Sequence, residues 1–304
     1  MTLYICTVVG LVSVVQVLFD LNIISCITYI IYVDMVTATS AGDLDLNKCD
    51  QRLVRELQAA FPDESSTTLC RHAIICNNDT RVTMDHIRSW RSWKDVMFPI
   101  TATSISKEFD SGKLYVHGQD SLGHPLLVYN PHLNRPKERN IEEFVLLFVY
   151  MMEVAMKKLP PHLSRVSILL NRSSLSEPDY EMGKRFQELM RKYYPLRVYK
   201  IFVSPVNVVL KACWKVMKLF LSEEAAAHVK PKTGIDALRM VIPPQYIPEE
   251  LGGDCRHRFN PNDIQSPFLT PYSNKNAEDE SSLSSSRTRS NREHTDWSSA
   301  KRMR

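Results

Sequence analysis

The stretch KLYVHGQDSLGHPLLVYNP, residues 113–131, contains two apolar runs separated by polar turn residues. Residues 114–116 and 126–129 are rich in aliphatic and aromatic side chains, which favour strands. Residues 118–123 begin and end with glycine and carry a Gln-Asp-Ser triplet, a composition typical of a turn. The sequence therefore predicts a β-hairpin at this point of the chain.

The residues that follow the hairpin alternate between helical and strand patterns. Residues 138–158 predict a long helix with glutamates in its first turn and lysines in its last, as the helix dipole favours. VSILL at residues 166–170 is a short apolar run that predicts a buried strand, and a helix at 179–192 and a strand at 198–203 follow. Strands alternating with helices predict an α/β layer in which helices cover a sheet.

Residues 206–221 predict an amphipathic helix. At about 100° per residue, one direction collects apolar side chains and the opposite face collects lysines. The apolar residues are Val206, Leu210, Cys213, Met217 and Phe220, and the lysines are Lys211, Lys215 and Lys218. Such a helix could cover an apolar cavity and turn its basic face to anionic lipid headgroups. A plain surface helix with solvated lysines is the alternative interpretation.

Two further helices are predicted before the hairpin. Residues 44–61 and 83–97 carry apolar side chains at helical spacing. The second helix holds Trp90 and Trp93, and two tryptophans three residues apart are more typical of a core stripe than of a ligand-binding box.

The two ends of the chain differ in composition from its middle. Residues 1–33 contain no lysine or arginine, and residues 1–19 are uncharged and about as long as a bilayer-spanning helix. Residues 1–34 therefore predict either one membrane anchor, with the main domain kept in the cytosol by the basic residues that follow, or an extension foreign to the native protein. Residues 255–304 are rich in Ser, Asn and Arg and predict a disordered tail.

Composition and motifs argue against several classes of protein. A net charge of +4 without a block of like charges disfavours nucleic-acid binding. Seven scattered cysteines form no CxxC pair, so neither a zinc site nor a disulfide framework is predicted, and a reducing cytosol fits best. Because nucleophile-elbow and phosphate-loop motifs are missing, we predict no catalytic residues and no cofactor. His117, His124 and His132 have no metal-binding spacing, and we expect them in surface loops.

Four segments occur together in the order and spacing of one known family. They are the hairpin, KYYPLRVYKIFV at 192–203, KVMKLFL at 215–221 and IPEELGGD at 247–254. Residues 113–254 thus resemble the CRAL-TRIO lipid-transfer domain, and residues 45–98 more faintly resemble the helical region that precedes it. The resemblance implies a mixed sheet backed by helices, with a hydrophobic pocket that a gate helix closes, here residues 206–221. It divides the chain into a helical region at 45–98 and a lipid-binding domain at 100–254.

The resemblance also implies which residues line the site. The predicted pocket residues are Ile168, Leu170, Ile201, Val203, Val209, Leu210, Cys213 and Met217, and the alternative is that they are ordinary core residues. The predicted membrane-facing residues of the gate are Lys211, Lys215 and Lys218. Members that bind phosphatidylinositol hold its phosphate with an Arg, a Glu and a Lys, at positions that correspond here to Cys76, Leu196 and His228. Only His228 could carry a positive charge, so the resemblance disfavours phosphatidylinositol as the ligand.

The predicted function is non-enzymatic. We expect the domain to bind one phospholipid or other lipophilic molecule, and to transfer or sense it at an anionic membrane surface facing the cytoplasm. The alternative is a scaffold for protein interaction that keeps the fold without a ligand.

Overall fold

The computed structural model describes residues 48–174, 176–177, 179–206, 229–231, 234–257 and 259. The segment 1–34, the gate residues from 207 onward and nearly all of the predicted tail lie outside these ranges. Among the described helices, none is both long and apolar enough to cross a membrane.

Four described helices precede the first strand, where the sequence predicted two, and the first three form a unit of their own. They are α1 (Gln51–Ala60), α2 (Ser66–Ile75) and α3 (Thr80–Met97). Each begins at a side chain that accepts a hydrogen bond from the first turn: Asp50, Ser65 and Asp79, respectively. The three helices share a small core that includes Leu57, Leu69 and Ile87.

The sheet has five strands in the order β1-β2-β3-β4-β5. They are β1 (Leu114–Gln119), β2 (Pro125–Tyr129), β3 (Val166–Asn171), β4 (Val198–Ser204) and β5 (Val229–Pro231). The β1–β2 pair is the predicted antiparallel hairpin, and the other three pairs are parallel. This mixed sheet confirms the predicted fold class.

A buried aspartate fixes the turn of the hairpin. One Asp120 carboxylate oxygen accepts hydrogen bonds from the Leu122 and His124 amides at 2.9 and 3.0 Å. The other accepts from the Ser167 hydroxyl of β3 at 2.7 Å. The turn is therefore held from within the sheet, and its shape does not depend on surface contacts.

Four further helices pack with the sheet, and the second and third of them connect its strands. These are α4 (Ala102–Asp110), α5 (Ile141–Lys157), α6 (Tyr180–Lys192) and the short α7 (Ile235–Arg239). The Asn140 side chain caps α5 by accepting from the Glu143 amide, and this helix carries most of the buried apolar side chains on the helical side of the core. Its amino-terminal glutamates and carboxyl-terminal lysine agree with the predicted dipole pattern.

The segment IPEELGGD closes the domain against β1. A side chain at Gly253 would place its Cβ 2.0 Å from the Ile247 carbonyl oxygen, and one at Gly118 would lie 2.3 Å from the Tyr246 ring. Both positions therefore require glycine, Gly118 also because its φ is +67°. Ordered packing continues past residue 254, since Cys255 is buried and Phe259 contacts the Tyr115 and Phe109 rings.

Candidate functional site

Two neighbouring strands bring four of the predicted pocket residues to one face of the sheet. Ile168 of β3 pairs with Ile201 of β4, and Leu170 pairs with Val203. Paired residues on adjacent strands project to the same side, so the four side chains form one apolar patch. All four are buried.

The Tyr129 ring connects this face of the sheet to α5 and α6. Tyr129 of β2, which pairs with Leu170, lies on the same face, and its ring centroid is 6.2 Å from Phe144 of α5 and 6.3 Å from Phe186 of α6. Phe186 also contacts Phe148 at 4.4 Å. We call Tyr129, Phe144, Phe148 and Phe186 the aromatic layer. Its three phenylalanines carry no polar atoms, and the buried Lys113 ammonium lies 4.4 Å from the Phe144 ring, so the layer is mainly but not wholly apolar.

The other predicted site residues lie outside the described part of the chain. They are Val209, Leu210, Cys213 and Met217 of the pocket, the lysines Lys211, Lys215 and Lys218 of the gate, and His228 of the headgroup site. Their roles stay predictions, as does the assignment of the sheet residues to a pocket.

A buried arginine lies beside one of the predicted headgroup positions. The Leu196 carbonyl oxygen accepts a hydrogen bond from Arg71 Nη1 at 2.6 Å, and the Ser164 carbonyl accepts from Nη2 at 3.2 Å. The cation that contacts Leu196 is thus Arg71, five residues before Cys76 in α2, and only 1% of its surface is exposed. Its signal in the sequence is a lone arginine inside the apolar helix LCRHAII.

Two histidines extend this buried polar region into the helices before the sheet. His72 Nδ1 lies 3.0 Å from His86 Nδ1, so one of the two nitrogens carries the hydrogen that the other accepts. Burial lowers the pKa of His72 well below its usual value, and the adjacent His86 and nearby cations lower it further. Burial also lowers the pKa of His86. Both rings are therefore neutral at pH 7.

An acidic group completes the region on the domain side. The Tyr194 hydroxyl donates to the Glu153 carboxylate of α5 at 2.9 Å, and burial raises the pKa of this carboxyl group. We call Arg71, His72, His86, Glu153 and Tyr194 the polar seam, because it joins α2 and α3 to the sheet domain. No pattern in the sequence predicted these roles.

The tryptophans of α3 strengthen the same junction. Trp93 stacks on Tyr193 with centroids 4.1 Å apart, and the Trp90 indole donates to the Tyr193 carbonyl at 3.1 Å. Both contacts agree with a packing role for the tryptophan pair.

The histidines near the hairpin do not form a metal centre. His117 Nε2 lies 3.2 Å from Cys255 Sγ, and its ring stacks on His257 at 4.2 Å. Burial and His257 lower the pKa of His117 to about 4. Within the described residues, no group of three or more His, Cys, Asp or Glu side chains could hold a metal ion. The predicted surface-loop position is wrong for His124, which is buried because its ring stacks on Tyr199 at 4.0 Å. It is also wrong for His117, which lies half-buried in strand β1.

Parts of this chain are similar to known proteins. A family model described as the CRAL/TRIO domain matches residues 109–253, which include the sheet, α5 and α6 and the closing glycines. The phosphatidylinositol transfer protein CSR1 of Eremothecium gossypii is 25% identical over 219 residues, covering 67% of this chain and 50% of that relative. The chain thus spans about half the length of this curated relative. The crystal structure of Sfh5 has a TM-score of 0.44 at 16% identity, over 80% of this chain and 91% of that one.

Proposed function

Residues 109–253 belong to the CRAL/TRIO domain family, and from this premise we propose that the protein binds one lipid or other lipophilic molecule against the apolar sheet face. It then transfers the molecule between membranes or reports its presence, without covalent chemistry. The supporting observation is the apolar patch of Ile168, Leu170, Ile201 and Val203 on one face of the sheet, which Tyr129 connects to the aromatic layer.

Apolar burial would supply most of the binding free energy. Each ligand methylene that leaves water contributes about 0.8 kcal/mol, so affinity should rise with acyl-chain length. We propose that the amphipathic residues 206–221 close the site and that Lys211, Lys215 and Lys218 contact the anionic cytoplasmic membrane surface.

The surroundings of Leu196 support a ligand other than phosphatidylinositol. Position 196 offers no carboxylate, and Arg71 already donates to two main-chain carbonyls. A phosphate would have to displace these bonds, whereas a neutral lipophilic molecule would not.

Lipid content tests this proposal directly. The full chain is purified from cells, its bound lipids are identified by mass spectrometry, and transfer of a labelled lipid between vesicles is measured. We expect one lipid class at near one molecule per chain. Protein that is empty and moves no labelled lipid would contradict the proposal.

A matched pair of variants locates the ligand. Ile168→Phe adds volume on the proposed pocket face, whereas Leu169→Phe adds the same ring on the opposite face, since Leu169 pairs with Phe202 and Val128. Both changes crowd a buried site, but only Ile168→Phe should lower the lipid content. Equal loss in both variants would place the ligand elsewhere.

One observation favours a second function. Phe144, Phe148 and Phe186 are buried and contact one another, so protein side chains already fill part of the space between helices and sheet. A domain filled in this way would act as a scaffold for protein interaction. In that case mass spectrometry finds no lipid, while partner binding persists in Ile168→Phe.

A further inference from the structure

Two buried thiols contact each other in the small core that the first three helices share. Cys49 lies two residues before α1, and Cys70 lies in the middle of α2. Both belong to the core cluster of Leu57, Leu69 and Ile87, and their exposed fractions are 5% and 3%. The Cys70 side chain forms a hydrogen bond with the Cys49 side chain. The two sulfur atoms are therefore neighbours in space, although the residues are far apart in the sequence and have no CxxC spacing.

Hydrogen bonds from the turn between α2 and α3 fix the position of Cys49. The Asn78 side chain accepts from the Asp50 amide at 3.1 Å and donates to the Lys48 carbonyl at 3.1 Å. One side chain thus holds the peptide groups on both sides of Cys49. Asn78 is held in the turn in the same way, because its amide donates to the Ala73 carbonyl at 2.8 Å. The chain before α1 is therefore bound to the end of α2.

A third buried cysteine of the same helices has a different neighbour. Cys76 directly follows α2, and its side chain forms a hydrogen bond with Thr83 of α3. Its thiol is buried, as are those of Cys49 and Cys70. A disulfide requires two sulfur atoms that can come into bonding distance, so burial alone does not select Cys76. The mutual contact of Cys49 and Cys70 distinguishes these two cysteines.

We propose that Cys49 and Cys70 form a reversible disulfide, a covalent modification site that closes residues 49–70 into a loop. Two thiols in hydrogen-bond contact need little side-chain movement to reach an S–S distance of about 2.05 Å. The site lies in the helical unit before residues 109–253, so the inference does not depend on the proposed lipid-binding function.

A small-molecule disulfide, such as oxidised glutathione, would accept the electrons. The Cys49 thiolate attacks one sulfur of this reagent, which forms a mixed disulfide and releases one thiol. The Cys70 thiolate then attacks the Cys49 sulfur, which forms the protein disulfide and releases a second thiol. Two electrons pass from the cysteines to the reagent, and the two cysteine protons end on the released thiols.

The burial of Cys49 determines how fast this exchange proceeds. Burial raises the pKa of the Cys49 thiol, and the hydrogen bond from Cys70 offsets the rise only in part. Because the thiolate is the attacking form, the exchange should be slow at pH 7 and faster at about pH 8.5.

The disulfide would stabilise the helix that holds the sheet domain. Cys70 directly precedes Arg71 and His72 of the polar seam, and Arg71 donates to the Leu196 carbonyl at 2.6 Å. A cross-link between Cys49 and Cys70 restricts the unfolded chain and so favours the folded α2. The redox state of this pair would therefore control how firmly the seam is held.

Peptide mapping of the full chain tests for the disulfide. The chain is equilibrated with oxidised and reduced glutathione at about pH 8.5, its free thiols are blocked with N-ethylmaleimide in urea, and it is digested with trypsin. Trypsin cuts after lysine and arginine, so the disulfide joins peptide 49–52 to peptide 56–71. We expect this linked peptide as the main oxidised form of both, and we expect dithiothreitol to remove it. Peptides that carry maleimide or glutathione instead of each other would overturn the inference.

Three serine variants form a matched set. Cys49→Ser and Cys70→Ser each remove one partner and should abolish the linked peptide or leave its halves separate. Cys76→Ser removes a buried cysteine of the same unit and should keep the linked peptide. The peptide map of the native chain decides the question even if a serine variant folds poorly.

Thermal melting gives a second measurement on the same proteins. Oxidation should raise the Tm of the native chain and of Cys76→Ser by about 5–10 °C, the effect of closing a loop of about 20 residues. It should leave the Tm of Cys49→Ser and Cys70→Ser unchanged. An equal shift in all four proteins, or a shift in none, would contradict the proposal.

Discussion

The aromatic layer and the polar seam are both buried, but they are built on opposite principles. The layer packs side chains such as Phe144, Phe148 and Phe186, whose contacts are non-directional and tolerate a substitute of similar shape. The seam depends on single directed bonds, such as that of Arg71 to the Leu196 carbonyl, 125 residues away. One region can therefore adapt its volume to a ligand, whereas the other fixes two parts of the chain in one geometry.

The largest effect is expected from removing a ring of the layer. Phe186→Ala should lower the free energy of unfolding by about 3–5 kcal/mol, since it removes apolar burial and leaves a cavity. Urea denaturation monitored by circular dichroism measures the loss. Phe186→Leu keeps most of the volume and should retain most of the stability. A loss below about 1 kcal/mol for the alanine variant would mean that the layer is not closely packed.

The seam should respond almost as strongly to the loss of its cation. Arg71→Met keeps the length of the side chain but leaves the Leu196 and Ser164 carbonyls without these donors, which costs about 3 kcal/mol. Arg88, which pairs with Asp85 on the exposed surface, gives the control. Arg88→Met should change stability by less than about 0.5 kcal/mol. Equal effects of the two changes would show that Arg71 is not a structural cation.

Lowering the pH should destabilise the polar seam before it destabilises the aromatic layer. The pKa values of His72 and His86 are lowered in the folded chain, so unfolding takes up protons and the stabilisation by the neutral rings is complete only above about pH 6.5. It is lost as the pH falls below that value, with a slope of at most about 1.4 kcal/mol per pH unit for each histidine. Denaturation between pH 7 and pH 5 measures this slope.

Charged groups near His72 and His86 also affect the pH dependence of stability, and one of them, Glu153, provides a control variant. The cations that lower the pKa of His72 are Arg71, Lys94 and Arg197, and those near His86 are Arg191 and Lys192. The raised pKa of Glu153 acts in the opposite direction, because its stabilisation of the fold is lost as the pH rises above 4.5. Glu153→Gln removes that contribution and should leave the slope above pH 5 steeper or unchanged. A double His72→Gln, His86→Gln variant with the same slope as the native chain would refute the assignment.

The smallest expected loss of stability comes from removing one hydrogen bond of the polar seam. Tyr194→Phe removes the hydroxyl that donates to Glu153 and should cost about 1 kcal/mol, leaving the ring contacts in place. The partial loss separates the directed bond from the packing of the ring. If thermal melting shows no change, water replaces the hydroxyl at Glu153.

Local patterns were sufficient to predict the elements that build the layer. The β1–β2 hairpin, α5, α6 and strands β3 and β4 follow from apolar periodicity and turn residues, because these elements bury one face along their own length. The helix α2 was missed because Ser65 resembles a break in the chain, although its hydroxyl in fact starts the helix.

The seam could not be predicted in the same way. His72 meets His86 and Arg71 meets Leu196 only after helices and sheet have packed, so no local spacing marks these pairs. The same reason explains His124, whose burial depends on a stack with Tyr199 from another strand. Pairwise polar contacts between distant segments leave at most a weak trace in one sequence, such as an arginine within an apolar helix.

The long span of the Arg71 bonds has a consequence for how the protein is made. During synthesis α2 leaves the ribosome well before β4. The Leu196 and Ser164 carbonyls that accept hydrogen bonds from Arg71 are therefore synthesised long after Arg71 itself. The parallel strand pairs impose the same delay, because β3 has no β4 to join until α6 has been completed. Until the chain is released to about residue 200, the nascent helices expose the surface that later forms the seam. We therefore expect a trigger-type or Hsp70-type chaperone to bind ribosome-held chains that end before β4, and to dissociate from those that extend beyond it.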